Sequence, residues 1–309
     1  MAISVSLTIK IGILIAIGFA SGRAGIIDQS AREKMSDILI KILLPVSMIA
    51  SSQQEFSISN AGGALEILVF AFIYYIIMFG SGIWILKLLG RDKRRMAIEI
   101  LLVTFANTAF LGVPILSEIE GDVGVLYAVI FNCVFDLVYF SIGMYMLQEA
   151  VLEQKSYFKI THLLRDPLTW VAIITIFLYI FPYRFPGIVT ESLDSLGSAM
   201  MPVSMLIIGA QIAGMNYREL FVNRRAYILS FMKMLIIPMI VLIIMRLIGA
   251  NMEITSTMVI LSAMPSGSLN IIMAEKYRIE PELATATVMQ TTLVMLFTLP
   301  LFTQIISMK

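Results

Sequence analysis

The residues able to do chemistry in this chain are few, and most fall in two short stretches. One reads Phe105-Ala106-Asn107-Thr108-Ala109-Phe110-Leu111-Gly112-Val113-Pro114 and the other Ala263-Met264-Pro265-Ser266-Gly267-Ser268-Leu269-Asn270. The Asn107 amide donates two hydrogen bonds while staying neutral, which suits recognition of a carboxylate that must later be released. Thr108, Ser266, Ser268 and Asn270 are further neutral donors, although serine also bonds the preceding turn of its own helix. Proline removes a backbone donor and glycine permits unwinding, so Gly112, Pro114 and Pro265 are the expected helix-break residues, with Gly267 beside them. An unwound helix offers free N–H groups and a positive dipole end, again suited to an anion. A single such stretch is equally well read as a kinked helix packing through small residues. A matched pair favours binding.

Asp136 carries the other chemistry. It shares a helix face with Asn132 at four-residue spacing, within an apolar run. A charge there costs about 2.5 to 3.5 kcal/mol on insertion scales, so it must be paired, protonated or wetted. The two readings are proton coupling, with Asn132 as its companion, and a structural ion pair with Lys10, Lys41 or Lys233. Glu66 and Glu99 lie nearer the ends of apolar runs and are expected at the interface. Twenty-two methionines could suggest soft-metal transport, but they are scattered and read as apolar filler. One cysteine, Cys133, and one histidine, His162, exclude an intrachain disulfide and a Cys/His zinc site. No phosphate-binding loop and no His-Glu-x-x-His or Gly-x-Ser-x-Gly motif occurs. Neither enzyme chemistry, ATP-driven transport, a cofactor nor a metal is expected.

The elements that must position these residues are membrane helices. Of 309 residues 59% are hydrophobic and 14% charged, far from the roughly 25% charged residues of a soluble domain. Nucleic acid is not an expected partner at a net charge of +1; the lipid bilayer is. Apolar stretches at about 20 residues per crossing fall roughly at 3–20, 35–51, 64–89, 97–117, 122–147, 167–182, 194–214, 226–249, 255–275 and 282–306. The first has no polar mature domain after it and reads as a retained helix rather than a leader. Alternate loops carry Arg23, Arg32 and Lys34; Arg91, Lys93, Arg94 and Arg95; Lys155, Lys159 and Arg165; Arg218, Arg224 and Arg225; and Lys276 with Arg278. The opposite loops carry Glu55, Glu118, Glu120 and Asp122, with Arg184 and Lys309 as their bases. Basic loops face the cytoplasm, so ten helices with both termini outside are expected. Tyr75, Trp84, Trp170, Tyr179 and Tyr183 fit an interfacial aromatic belt, and His162 a surface loop.

The halves resemble each other. Leu44-Pro45-Val46-Ser47-Met48-Ile49 matches Met201-Pro202-Val203-Ser204-Met205-Leu206, Lys87-Leu88-Leu89-Gly90 matches Arg246-Leu247-Ile248-Gly249, and Asn132 falls opposite Gln290. Five helices per half is odd, so the second half enters inverted, an arrangement common in secondary transporters. The expected fold is thus all-α: a polytopic membrane protein of two inverted five-helix repeats, residues 1–150 and 151–309, with the fourth and ninth helices broken. Ser47 and Ser204 become symmetry-related candidates for substrate contact or for relief of a proline kink.

At these residues the sequence resembles the auxin efflux carrier family, which includes plant PIN-FORMED proteins and bacterial organic-anion permeases. The resemblance spans essentially the whole chain. It rests on Asn107-Thr108 with Gly112-Val113-Pro114, on Pro265-Ser266-Gly267 followed by Ala274-Glu275-Lys276-Tyr277, and on Pro300. It implies a scaffold of helices 1, 2, 6 and 7, and a transport part of helices 3–5 and 8–10. It also implies a carboxylate site where helices four and nine cross, and alternating access. One departure is Ala106, where plant members often carry a proline; it predicts a gentler break or one moved toward Pro114. The expected function is secondary transport of small organic anions, mono- or dicarboxylates or auxin-like aromatic carboxylates, across a prokaryotic inner membrane. An uncoupled anion channel is the alternative. A homodimer is compatible with the sequence.

Overall fold

Hydrocarbon offers no partner for backbone N–H and C=O groups, so apolar runs of this length are stable only as helices. The computed structural model describes residues 2–53, 58–88, 90, 92–152, 167–181, 183–214 and 223–307. Arg91, Lys155, Lys159, His162, Arg165 and Arg218, with Glu55 and Lys309, lie outside the described residues. Helix α1 (Ala2–Arg23) is followed by α2 (Gln29–Ile38), which runs through a π-turn at Leu39–Leu43 into α3 (Leu44–Ser51). Next come α4 (Ile58–Leu88), α5 (Lys93–Thr104), a π-turn at Thr108–Gly112, and α6 (Val113–Val138), prolonged through a π-turn at Tyr139–Gly143 into α7 (Met144–Leu152). The second half holds α8 (Pro167–Ile180), α9 (Gly187–Ser198), α10 (Met200–Ala213), and α11 (Arg224–Phe231) running through a π-turn at Met232–Ile236 into α12 (Ile237–Leu247). It ends with α13 (Met252–Ser262), α14 (Leu269–Tyr277) and α15 (Pro281–Ser307).

Among the described residues, five helical stretches are long and apolar enough to cross a bilayer: Gly62–Leu88, Thr108–Val151, Gly187–Ala213, Arg224–Leu247 and Pro281–Ile306. The ten expected spans, the fourth and ninth of them broken, are therefore seen only in part. The fourth and ninth apolar runs are each split, α5 from the Thr108 turn and α13 from α14. The stretch Thr108–Val151 has 44 residues, about twice one crossing, and folds back at Gly121, where φ is 62° and ψ −144°. It holds the end of the fourth run and the whole of the fifth.

Prolines in these helices are absorbed rather than allowed to end them. Three π-turns stand directly before Pro45, Pro114 and Pro238, and in each the residue preceding the proline donates its N–H five residues back: Leu44 to Leu39, Val113 to Thr108 and Ile237 to Met232. The wider turn moves backbone away from the pyrrolidine ring, which an α-turn would make clash. Pro114 therefore sits within continuous helix, and it is not where the fourth run breaks.

The two halves of the chain interlock early. Helix α1 packs along α10 at backbone distance, because a Cβ on Gly18 would overlap the Leu206 carbonyl and one on Gly209 the Ile15 carbonyl. Small residues allow this approach, which supplies dispersion contacts where no hydrophobic effect operates between helices. Helix α3 packs on α8 and α9. Two loops also match: Gly90 and Gly249 both have positive φ, of 66° and 69°. Each is followed by a side-chain cap, Asp92 accepting from the Arg95 N–H and Asn251 from the Ile254 N–H. Trp84, Trp170 and Tyr183 are exposed as the belt reading requires, whereas Tyr75 and Tyr179 are buried core residues. Glu99 is 4% exposed and meets Arg225, in the first turn of α11, at 3.2 Å, so it stands near a helix end but is covered by protein.

Gly209→Leu is expected to separate α1 from α10, since overpacking of this kind costs about 1 to 3 kcal/mol or more. The detergent-solubilised variant should melt several degrees lower, while Gly12→Leu, where a Cβ meets nothing, should leave the melting temperature unchanged.

Candidate substrate-binding site

The fourth run opens before the residues that predicted a break. Helix α5 stops at Thr104, Phe105 is extended at φ −95° and ψ 110°, and Asn107 has φ −80° and ψ 65° before helix resumes. In the ninth run α13 stops at Ser262 and α14 begins at Leu269, an interval that contains Pro265, whose ring disfavours helix at Met264. The two open segments cross antiparallel. The Asn107 N–H donates to the Pro265 carbonyl at 2.7 Å, and the Gly267 N–H donates to the Phe105 carbonyl at 3.0 Å. Ala106 faces Ser266 across this single bridge. Each broken helix thereby satisfies backbone groups that the other leaves free.

Three further contacts hold the break without a proline in the fourth run. The Phe105 ring is fully buried, with Tyr139 at 4.5 Å, Phe135 at 5.0 Å, Tyr75 stacked at 5.4 Å and Phe79 at 5.7 Å between centroids. Asn270 is fully buried too. Its amide donates to the Phe105 carbonyl at 3.2 Å, the Leu101 carbonyl at 3.3 Å and Ser266 Oγ at 3.1 Å, while its Oδ1 accepts from the Tyr139 hydroxyl at 3.2 Å. The Ser266 N–H donates to Thr291 Oγ1 at 3.1 Å. Gly112 has a different task from unwinding: a Cβ there would press into Leu261 of α13, so it lets the two interrupted helices approach.

A cavity of about 890 Å³ opens on one side of the crossing. Asn107, Thr108, Gly267, Ser268, Asn132 and Asp136 line it, and it extends to Gln29, Arg32 and Gln211. Among the described lining residues Arg32 is the basic one, against the carboxylates of Glu33, Asp37 and Asp136. The Thr108 hydroxyl donates to Asn132 Oδ1 at 2.6 Å and the Asn132 amide to the Ala128 carbonyl at 2.8 Å. The Asn107 side chain does not cap the helix that follows it.

The candidate residues therefore separate. Asn107, Thr108, Gly267, Ser268, Asn132 and Asp136 meet at one cavity. Asn270, Ser266 and Pro265 are buried behind it, with the Asn270 and Ser266 polar groups committed to the crossing. Ser47 and Ser204 are buried away from the cavity; Ser204 donates to the Met201 carbonyl three residues back, and Ser47 packs against Gly197. The ion-pair partners considered for Asp136 are engaged elsewhere or bare: Lys10 meets Glu118 at 2.7 Å, Lys41 meets Asp37 at 2.8 Å, and Lys233 Nζ has no hydrogen-bond partner among the described residues. Sequence reasoning missed Phe105, Tyr139 and Thr291 as supports and Arg32 and Gln211 as lining. Phe135 and Tyr139 do stand four apart on one helix face, a faint signal of the ring cluster.

Beyond the geometry, a family model described as membrane transport protein matches residues 3–303. The chain belongs to that family. It is the auxin efflux carrier group whose motifs the broken helices resemble, so the protein is a multi-pass membrane protein of a transporter family. Relatives in the family include a protein named uncharacterized transporter YfdV from Escherichia coli K12, 21% identical over 301 residues and covering 94% of this chain and 93% of its own. Uncharacterized transporter MJ1031 from Methanocaldococcus jannaschii is 22% identical over 289 residues, 91% of each chain. A transporter from Methanothermobacter thermautotrophicus is 20% identical over 308 residues, 98% of each.

Asn270→Ala should leave the buried Tyr139 hydroxyl without its acceptor and remove the second donor from the Phe105 and Leu101 carbonyls, at about 1 to 3 kcal/mol for the buried group left unpaired, read as a fall in melting temperature. Ser268→Ala, exposed at the cavity, should leave the melting temperature unchanged.

Proposed function

We propose that the protein is a secondary carrier of small organic anions that works by alternating access. The observation that supports this best is the pair of interlocked helix breaks beside one cavity, with neutral donors on its wall. Asn107 and Ser268 would bind the carboxylate, with Thr108 and Asn132 holding each other in position beside it. Neutral donors bind an anion without the deep trap that a buried lysine or arginine would make.

In this reading the chain is two inverted five-helix repeats. Support comes from the reciprocal hydrogen bonds at the crossing, which exchange residues 107 and 267 and residues 105 and 265 under one offset. The matched turns at Gly90 and Gly249 have nearly the same offset. So do the pairings of α1 with α10 and α3 with α8, which are the same pairing seen from the two halves. Helices α1, α2–α3, α8 and α9–α10 would form the scaffold, and the rest the moving part. The cavity lies between these two sets and reaches Arg32, on the side rich in basic loops, so this conformation is read as open to the cytoplasm. The termini would then lie outside a prokaryotic inner membrane.

Asp136 bears on coupling. An ionised Asp136 and a bound carboxylate in one low-dielectric cavity repel each other, and one proton on Asp136 removes that repulsion. Anion and proton would therefore enter together.

Asn107→Ala should lose carboxylate binding by about 10-fold or more, as for a site whose hydrogen-bond donor is removed, while remaining folded. Undiminished affinity in a thermal-shift screen over dicarboxylates and aromatic carboxylates overturns the assignment. Asp136→Asn should retain counterflow of labelled substrate in proteoliposomes but lose its response to a proton gradient. Absence of counterflow in the wild type, with flux that does not saturate, identifies a channel instead.

A further inference from the structure

Lys233 stands apart from everything the proposed site uses. Its side chain is fully buried, and its Nζ has no hydrogen-bond partner among the described residues. It lies in the π-turn Met232–Ile236 of the apolar stretch Arg224–Leu247, about 14 Å from the Arg224 end at 1.5 Å per residue. That is close to the middle of a hydrocarbon layer about 30 Å thick.

Among the described residues, no carboxylate pairs with it. The turn packs on α15 and α5 and continues into α11 and α12. On α15 the one charged residue is Glu282, in the first turn. On α5, Glu99 is held by Arg225, Lys93 by Glu149, and Arg95 by Asp92 and Glu280; Arg94 is exposed. On its own stretch, Arg224 and Arg225 stand at the start, and Arg246 donates to the Ile305 carbonyl. Glu253 begins α13, the neighbour of α12. An ammonium without a partner at this depth costs several kcal/mol, whereas an uncharged amine costs far less.

We propose that Lys233 is a proton-binding site, uncharged in the conformation described here and protonated at another step of the cycle. At the step that opens it to water, the amine lone pair takes one proton from water, and it returns that proton to water before it is sealed again. One turn before it, the Ser230 hydroxyl donates to Gln290 Oε1 at 3.0 Å. The next residue of α15, Thr291, accepts the Ser266 N–H at the crossing. A shift of this helix on protonation is thus passed through α15 to the segment that carries the proposed anion site. Only the place of the proton in a transport cycle rests on the carrier reading.

The test compares the full-length protein with Lys233→Met and Lys233→Arg in detergent, by melting temperature from about pH 6 to about pH 9, below the ordinary lysine range. An amine uncharged when folded and charged when unfolded gives an unfolded state that binds one more proton. Wild-type stability must then rise with pH relative to Lys233→Met. The expected result is that added slope, a Met variant at least as stable as wild type at the acid end, and an Arg variant that folds poorly because guanidinium keeps its charge. Parallel slopes, or a Met variant that melts lower at every pH beside a stable Arg variant, overturn the proposal, the latter being the pattern of a charged, paired lysine. In proteoliposomes with malonate and indole-3-acetate as probes, Lys233→Met should keep counterflow and lose acceleration by a proton gradient; retained acceleration overturns the coupling role. If the wild type moves neither probe, it is the carrier reading for those anions that fails, and the melting comparison still decides the lysine.

Discussion

Two backbone hydrogen bonds, Asn107 to Pro265 and Gly267 to Phe105, are the constraint from which the rest of this molecule follows. An interrupted helix in hydrocarbon exposes groups that cost several kcal/mol each when unpaired. One break could not persist alone. Two breaks that cross can trade partners, so each is stable only because the other exists. Asn270 extends the exchange by donating to the Leu101 and Phe105 carbonyls, and the rings around Phe105 fix the angle at which its strand-like segment leaves α5. The polar groups of the ninth-run opening thus divide, with Asn270 and Ser266 maintaining the crossing and Ser268 left to face the cavity.

The same economy governs the other irregularities. Pro45, Pro114 and Pro238 would each interrupt a ladder, yet a widened turn before each keeps the N–H groups bonded. Gly18 and Gly209 bring α1 and α10 to backbone distance, which ties the first helix of the chain to the second half. Charges follow the opposite logic at the two faces and at depth. At the ends of the helices they form pairs and networks, as between Arg225, Glu99, Glu280 and Arg95. At depth stand Asp136, which lines the cavity, and Lys233, which is sealed from it. A carboxylate that reaches water and an amine that does not are suited to titrate at different steps of one cycle.

Much of this was legible in the chain. Apolar runs, alternating basic loops and the doubled Pro-Val-Ser-Met motif pointed to a helical membrane protein with related halves, and the family match agrees with the first. The place of the fourth break was not legible. Gly112 and Pro114 have the composition of a break, while Phe105-Ala106-Asn107 resembles ordinary helix; what opens it is a ring cluster drawn from α4 and α6 and a partner segment some 160 residues away. Asn270 and Ser266 looked like ligand donors because polarity in an apolar run signals a task without saying which. Tyr75 looked interfacial by position along its run, but exposure depends on which neighbour covers it.

By itself the sequence determined the class of solvent, the helical state and the residue types available for binding, because these depend on composition and on the local cost of an unpaired backbone in hydrocarbon. Only the tertiary structure decided which polar groups are consumed in holding the breaks and which remain for a ligand. Hydrogen-bond capacity is a property of a residue, whereas its satisfaction is a property of the neighbours that folding brings to it.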